Sequence, residues 1–187
     1  MRVFALFVVV FALVLSFANA GAAQTANGLQ GPRLRLHRAT FDAKTDQGSA
    51  PHAALAAGSG SHAIVQFRGP ITPADRVALE QTGVELLEYI PEFAYLVRGD
   101  PAQLAAATRL PHVYAHTQFT HADKLAPALL NALQRGDTVL GQLRIIGWPG
   151  DTGELERDLR SVAVNTAGSV SADALIRIAS LPTVRWI

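Results

Sequence analysis

Between residues 62 and 123 the apolar residues fall into short runs separated by turn formers. Ala63 to Phe67 (AIVQF) is a β-rich run, and Gly69-Pro70 ends it. Thr72-Pro73-Ala74-Asp75 follows with the chemistry of a helix start. Thr72 suits the N-cap, Pro73 the first turn, and Asp75 the third position, where a carboxylate meets the positive end of the helix dipole. Val77 and Ala78, with Gln81 at the margin, are the residues expected to face inward, and Gly83 is the expected stop. Val84 to Ile90 and Phe93 to Arg98 read as two strands joined at Pro91-Glu92. Asp100-Pro101-Ala102-Gln103 repeats the helix start, with an amide able to reach back to the cap. Leu104, Ala107 and Leu110 form its apolar stripe, Pro111 ends it, and Val113 to Phe119 is a fourth strand. The order βαββαβ predicts an α+β, ferredoxin-like unit: an antiparallel sheet with two helices on one face. The other face would then be free to meet water or a partner.

The pattern recurs. Asp100 to Tyr114 lies on Ser171 to Arg185 at a constant offset, which matches Leu104 to Leu175, Ala107 to Ile178, Leu110 to Leu181, Pro111 to Pro182 and Val113 to Val184. A second unit, residues 137–187, is therefore expected. It would have a strand at Thr138–Ile146, a helix from Asp151 with Leu155, Leu159 and Val162 inward, and a short strand at Val162–Asn165. A second helix near Ser171 and a final strand at Thr183–Ile187 would complete it. Ser161 to Ser171 leaves no room for the hairpin that Gly83 to Asp100 allows, so this unit is shortened. The first unit spans 62–123, and residues 124–136 join the two. The stripe Leu125, Leu129, Leu130 and Leu133 makes that join helical. Upstream, Arg33 to Phe41 alternates like a strand inside a leader of residues 21–61. Asp42 to Ser61, rich in Ala, Gly and Ser, reads as a flexible linker.

The N-terminus changes the picture of where the chain works. Arg2, the apolar run Val3–Phe17 and the small residues Ala18-Asn19-Ala20 have the layout of a secretory signal over residues 1–20. The competing reading is a retained anchor, but the run is about fifteen residues against the roughly twenty a spanning helix needs. Cleavage after Ala20, or after Ala23, would place the remainder in a secreted or periplasmic setting. Arg2 is one of 16 Lys and Arg, so its loss leaves 15 against 15 Asp and Glu. That balance offers neither the basic face a nucleic acid requires nor a polybasic membrane patch. There is no cysteine, which excludes disulfides and thiolate chemistry.

Candidate chemistry is sparse. Asp151-Thr152-Gly153 matches the aspartate motif of two protease classes, but Pro149-Gly150 precedes it and a helix follows, so a helix cap is the expected role. No Gly-x-Ser-x-Gly turn is present. His112, His116 and His121 lie close in sequence, and imidazoles bind zinc or copper. On a strand, however, His112 and His116 would sit roughly 13 Å apart. Glu85 and Glu88 are expected on opposite faces of their strand, Asp123 and Glu92 in loops, and Glu154, Glu156 and Asp158 on a solvated helix face. Trp148 and Trp186 read as packing residues. No catalytic, cofactor-binding or metal-binding residue is assigned.

Several phrases carry a family resemblance. Ile64-Val65-Gln66-Phe67-Arg68-Gly69-Pro70, Tyr89-Ile90-Pro91-Glu92-Phe93-Ala94-Tyr95-Leu96-Val97-Arg98 and Leu110-Pro111-His112-Val113 resemble the N-terminal, propeptide-like region of secreted bacterial subtilisin-type serine proteases. Leu36–Phe41 and the second unit look similar as well. The resemblance implies tandem ferredoxin-like units that act as folding chaperone and temporary inhibitor of a protease catalytic domain, in cis or in trans. The open sheet face would pack on two protease helices, while a C-terminal tail lay in the active-site cleft. This sequence departs from that pattern: the second unit is shortened, and the sequence stops at Ile187, at the close of a strand, before any tail or catalytic domain, so the expectation is a fragment of a longer protease, a truncated relic or a module that acts in trans. The alternative reading is a secreted module of the same fold that binds another protein or a small ligand.

Overall fold

The computed structural model describes residues 31–45, 53–162 and 170–187. The expected signal (1–20), the start of the leader, part of the linker and most of the strand expected at 162–165 lie outside the described residues. Gly31–Ile187 forms one compact unit. Among the described residues no helix is long and apolar enough to cross a membrane.

The described residues begin with a small antiparallel hairpin, β1 (Leu34–Arg35) and β2 (Thr40–Phe41), where one strand over Arg33–Phe41 was expected. A 3-10 turn at Ala53–Leu55 buries Leu55 completely. Strand β3 then runs from Gly58 to Phe67. Part of the expected linker is thus structured. Gly58 lies so close to Gln118 and the Phe119 carbonyl that a Cβ would meet them at 2.6 and 2.7 Å, so glycine is what lets β3 start there.

After β3 come α1 (Pro73–Gln81), β4 (Glu85–Ile90), β5 (Ala94–Arg98), α2 (Pro101–Ala107) and β6 (Val113–Thr120). The four strands make one antiparallel sheet in the order β4-β5-β3-β6. Both helices open on reciprocal capping boxes, expected at Asp100–Gln103 and found also at Thr72–Asp75, where only an N-cap and a dipole partner were expected. The Asp75 N–H donates to Thr72 Oγ1 (3.2 Å) and the Thr72 N–H to Asp75 Oδ2 (3.0 Å). Asp100 and Gln103 exchange the same pair at 2.8 Å each. Gly83, just past α1, has φ +86°, the left-handed conformation that costs a side chain energy. The inward face of α1 differs from the expectation. Asp75 and Leu79, four residues apart, share the buried face, so Val77 between them points outward and is 50 % exposed. The β4–β5 turn holds Glu92 and Phe93 at φ +69° and +63°. Gln66 Nε2 donates to the Glu92 carbonyl (2.9 Å) and fixes that turn against β3.

The sheet is covered on both faces. Val65, Phe67 and Val97 point to the side that holds Leu79 of α1 and Ala107 of α2. Their strand neighbours Ile64 and Leu96, with Ala94 and Phe119, point to the opposite side. That second side, expected to be free, is packed by Leu34 and Phe41 of the hairpin and by Trp148 and Trp186 from the C-terminal part.

The C-terminal part contains α3 (Pro127–Gln134), β7 (Val139–Leu140), β8 (Ile146–Gly147), α4 (Thr152–Ser161), β9 (Val170–Ser171), α5 (Ala172–Ser180) and β10 (Val184–Trp186). The strand expected at Thr138–Ile146 is interrupted. Its first end, β7, pairs with β9, and its last end, β8, with β10, both antiparallel. The two segments aligned in the sequence, the first and second repeat, close the same turn after a helix. Leu110 N–H bonds Ala107 O (3.4 Å) and Val113 N–H bonds Leu110 O (3.1 Å); Leu181 bonds Ile178 (3.1 Å) and Val184 bonds Leu181 (3.3 Å) likewise. Val113 then pairs with Phe67 in the first repeat, and Val184 with Gly147 in the second. Leu175, Ile178 and Val184 share a core with Leu55, Leu125, Leu130 and Ile187. The joining helix is shorter than its leucine stripe suggested, because a 3-10 turn at His121–Lys124 precedes it.

Candidate functional site

The resemblance points to the sheet face of Ile64, Ala94, Leu96 and Phe119 as the candidate interface. What covers that face is held by side chains from several elements. Trp148 is 3 % exposed, and its Nε1 donates to the Pro182 carbonyl (3.0 Å). Its ring stacks on His62 of β3, centroids 5.3 Å apart and planes 13° apart. Trp186 meets Phe119 edge to face at 5.8 Å and His37 at 4.7 Å. The Arg185 guanidinium lies 5.6 Å from the centre of the Trp148 ring and pairs with Glu88 at 2.8 Å. Arg98 pairs with Glu85 (2.7 Å) and with Asp151 (3.1 Å).

Glu85 and Glu88 therefore serve the same side of the sheet, not opposite sides. A register shift between Leu86 and Glu88 inserts an extra residue into β4, which returns Glu88 to the face of Glu85. Asp151 also departs from its expected role. It occupies the N-cap of α4, but its side chain makes no cap bond. Its carbonyl accepts from Glu154 and Leu155 (3.1 and 2.9 Å), while its carboxylate is turned to Arg98.

Beneath the cover, the 3-10 turn His121–Lys124 concentrates buried charge. Thr120-His121-Ala122-Asp123 copies the spacing of Thr72 to Asp75. Asp123 Oδ2 accepts from the Thr120 N–H (2.8 Å) and Oγ1 (2.7 Å). Its Oδ1 takes Arg38 Nε at 2.6 Å, and both side chains are almost wholly buried. Far from being a loop carboxylate, Asp123 ties the hairpin to the end of β6. The turn-forming pattern was readable in the sequence, but its buried arginine partner was not. Lys124, 2 % exposed, donates from Nζ to the Leu181 carbonyl (2.7 Å), and burial pushes its ammonium down to about 8. His62 is pushed down to about 4, first by burial and then by the charges of Lys124 and Arg98. Burial, and then Lys124, also lowers His121.

The three histidines singled out in the sequence do not converge. His112, exposed, sets Nδ1 2.6 Å from Asp75 Oδ1 on α1. The Thr72 hydroxyl and N–H, with His112 behind them, hold the Asp75 carboxyl down at about 2. His116 is exposed on β6, and His121 is buried in the 3-10 turn. No group of three or more His, Asp or Glu able to hold a metal occurs among the described residues. A cleft of about 420 Å³ opens between α2 and β6, lined by Leu104, Thr108, Ala63, His116 and Gln118. It contains no carboxylate and lies on the helix side of the sheet. The two tryptophans act as packing residues, as their setting in the sequence suggested.

A family model described as a domain of unknown function, DUF8729, matches residues 35–120. The matched segment runs from the hairpin to the last residue of β6, so this chain is similar to that domain over those residues. No curated protein matches the chain, and no solved structure does.

Proposed function

We propose that the chain is an exported, non-catalytic, propeptide-like module of a subtilisin-type serine protease, acting as folding chaperone or temporary inhibitor. One observation carries the reading. The first repeat runs β3-α1-β4-β5-α2-β6 with strand order β4-β5-β3-β6, which is the order of a ferredoxin-like unit. The second repeat is read as a shortened copy, since β9 and β10 flank the β7–β8 segment as β5 and β6 flank β3. A module that binds only the native protease lowers the free energy of that state relative to the unfolded chain, so no catalytic group of its own is needed. The test mixes the purified chain with a panel of subtilisins and measures binding, inhibition and recovery of activity after refolding. Saturable binding with either effect supports the proposal, and silence across the panel in all three measurements defeats it. Export is tested separately, by finding whether the product outside the cytoplasm starts at Gly21.

A second reading is favoured by the covered sheet face. The surface by which the resemblance would dock a protease is occupied by Leu34, Phe41, Trp148 and Trp186. A module that binds a different protein through another surface fits that cover without rearrangement. Affinity capture that returns non-protease partners, and no protease, would favour it.

A further inference from the structure

Both tryptophans of the chain lie in the contact between the second repeat and the first sheet. Trp148 is stacked on His62, a residue only 3 % exposed. Ser61 Oγ lies 3.0 Å from His62 Nδ1. The charged groups that face His62 come from four places: Lys124 in the 3-10 turn, Arg98 on the paired strand β5, Glu85 on β4, and Asp151 at the start of α4. The two carboxylates already share Arg98. Lys124 has no carboxylate among its hydrogen bonds and sits against the Leu181 carbonyl. Arg185 is over the Trp148 and Trp186 rings, and His37 is against Trp186. A proton added to His62 would therefore be buried beside existing positive charge, at the residue on which the second repeat rests.

We propose that this contact is an acid-sensitive latch: protonation of His62 frees Trp148 and Trp186 from the first sheet while the sheet itself stays folded. The sign follows from linkage. In the closed contact the imidazole is held down at about 4, first by burial; opening removes that burial and returns it towards its ordinary 6.5. The open form therefore binds the proton more readily between those values. Closure is undisturbed above pH 6.5. It weakens by roughly tenfold per pH unit as the pH falls towards 4, and below that the two forms titrate alike. The latch does not depend on the protease reading, because it concerns two parts of one chain.

The experiment follows tryptophan emission, far-ultraviolet circular dichroism and amide exchange on the whole chain as the pH is lowered from 6.5 towards 4. The expected result is a red shift of emission ahead of any change in dichroism. Amides of β8 and β10 should lose protection while β3 and β5 keep theirs. His62→Phe, which retains a stacking ring, and His62→Gln should remove this early transition. His37→Gln and His121→Gln should keep it. If emission and dichroism change together in the wild type, the latch is only global unfolding and the proposal fails. It fails equally if His62→Phe folds and shows the wild-type transition, or if His37→Gln or His121→Gln abolishes it. Should neither His62 variant fold, the exchange pattern of the wild type decides.

Discussion

The two repeats share a helix, a turn and a strand, yet only the first builds an extended sheet. In the first, β3 is ten residues long and pairs along most of its length with β5 and β6. In the second, the matching segment pairs, among the described residues, at its two ends, through strands of two and three residues. The first repeat has reciprocal capping boxes on both helices, whereas α5 has a single cap bond from Ala174 N–H to Ser171 Oγ (3.2 Å) and α4 has none. The difference teaches that the helix–turn–strand corner is a local device, specified by its own residues. The sheet beside it is not. Short two-stranded pieces are marginal alone, so the second repeat draws its stability from the core it shares with Leu55, Leu125 and Leu130.

The largest expected effect lies where the repeats meet. Asp123→Ala would leave Arg38 buried without its partner, at a cost of about 3–5 kcal/mol; the urea midpoint of the whole chain reads it. Ile178→Ala comes next. Ile178 is fully buried, while its counterpart in the first repeat, Ala107, already is alanine. Truncation should cost about 2–5 kcal/mol, and amide exchange should rise in the second repeat before the first. If both repeats loosen together, their stabilities are not separable. Removing the caps sharpens the comparison further. Asp100→Ala and Ser171→Ala should each cost about 1 kcal/mol, with the loss at Asp100 the larger because its cap is a carboxylate at the positive end of the helix dipole, bonded at 2.8 Å against 3.2 Å for Ser171. Thermal midpoints of the two variants give that order. The smallest effect is Asp151→Ala. It breaks a partly exposed ion pair with Arg98 and leaves the α4 cap carbonyl in place, so the loss should stay below about 1 kcal/mol.

The features that were legible in the sequence are those whose causes are local. Thr72-Pro-Ala-Asp75 and Asp100-Pro-Ala-Gln103 specify helix starts by residues within one turn, and both formed as expected. Gly83 likewise follows the end of α1 as expected, whereas α2 stops at Ala107, ahead of Pro111, and leaves Leu110 in the turn after it. The run Ala63-Ile64-Val65 also carries the mark of its surroundings. Continuous apolar character, rather than alternation, is the mark of a strand buried on both faces, and that is its setting. Other features depend on partners far along the chain. The bulge that brings Glu88 round to the side of Glu85 arises from pairing with β5. Asp151 turns to Arg98 because the second repeat lies against β5. Leu79 replaces Val77 at the core because the position of α1 over the sheet, not its own composition, selects its inner face. Of the candidate interface, the two tryptophans were legible as packing residues, but not the His62, Arg98 and Arg185 side chains that hold them.

The pair of Arg38 and Asp123 has a consequence for how the chain folds. It joins residues separated by 85 positions. Closing so long a loop is entropically slow to be rewarded, and Asp123 is in place only after β6 and its 3-10 turn exist. The N-terminal hairpin should therefore dock late, on a sheet already formed. Interactions made after the rate-limiting step act on the rate of unfolding rather than of folding. The expected result is a kinetic clasp: Asp123→Ala should raise the unfolding rate more than it lowers the folding rate, as read from the two arms of a urea chevron.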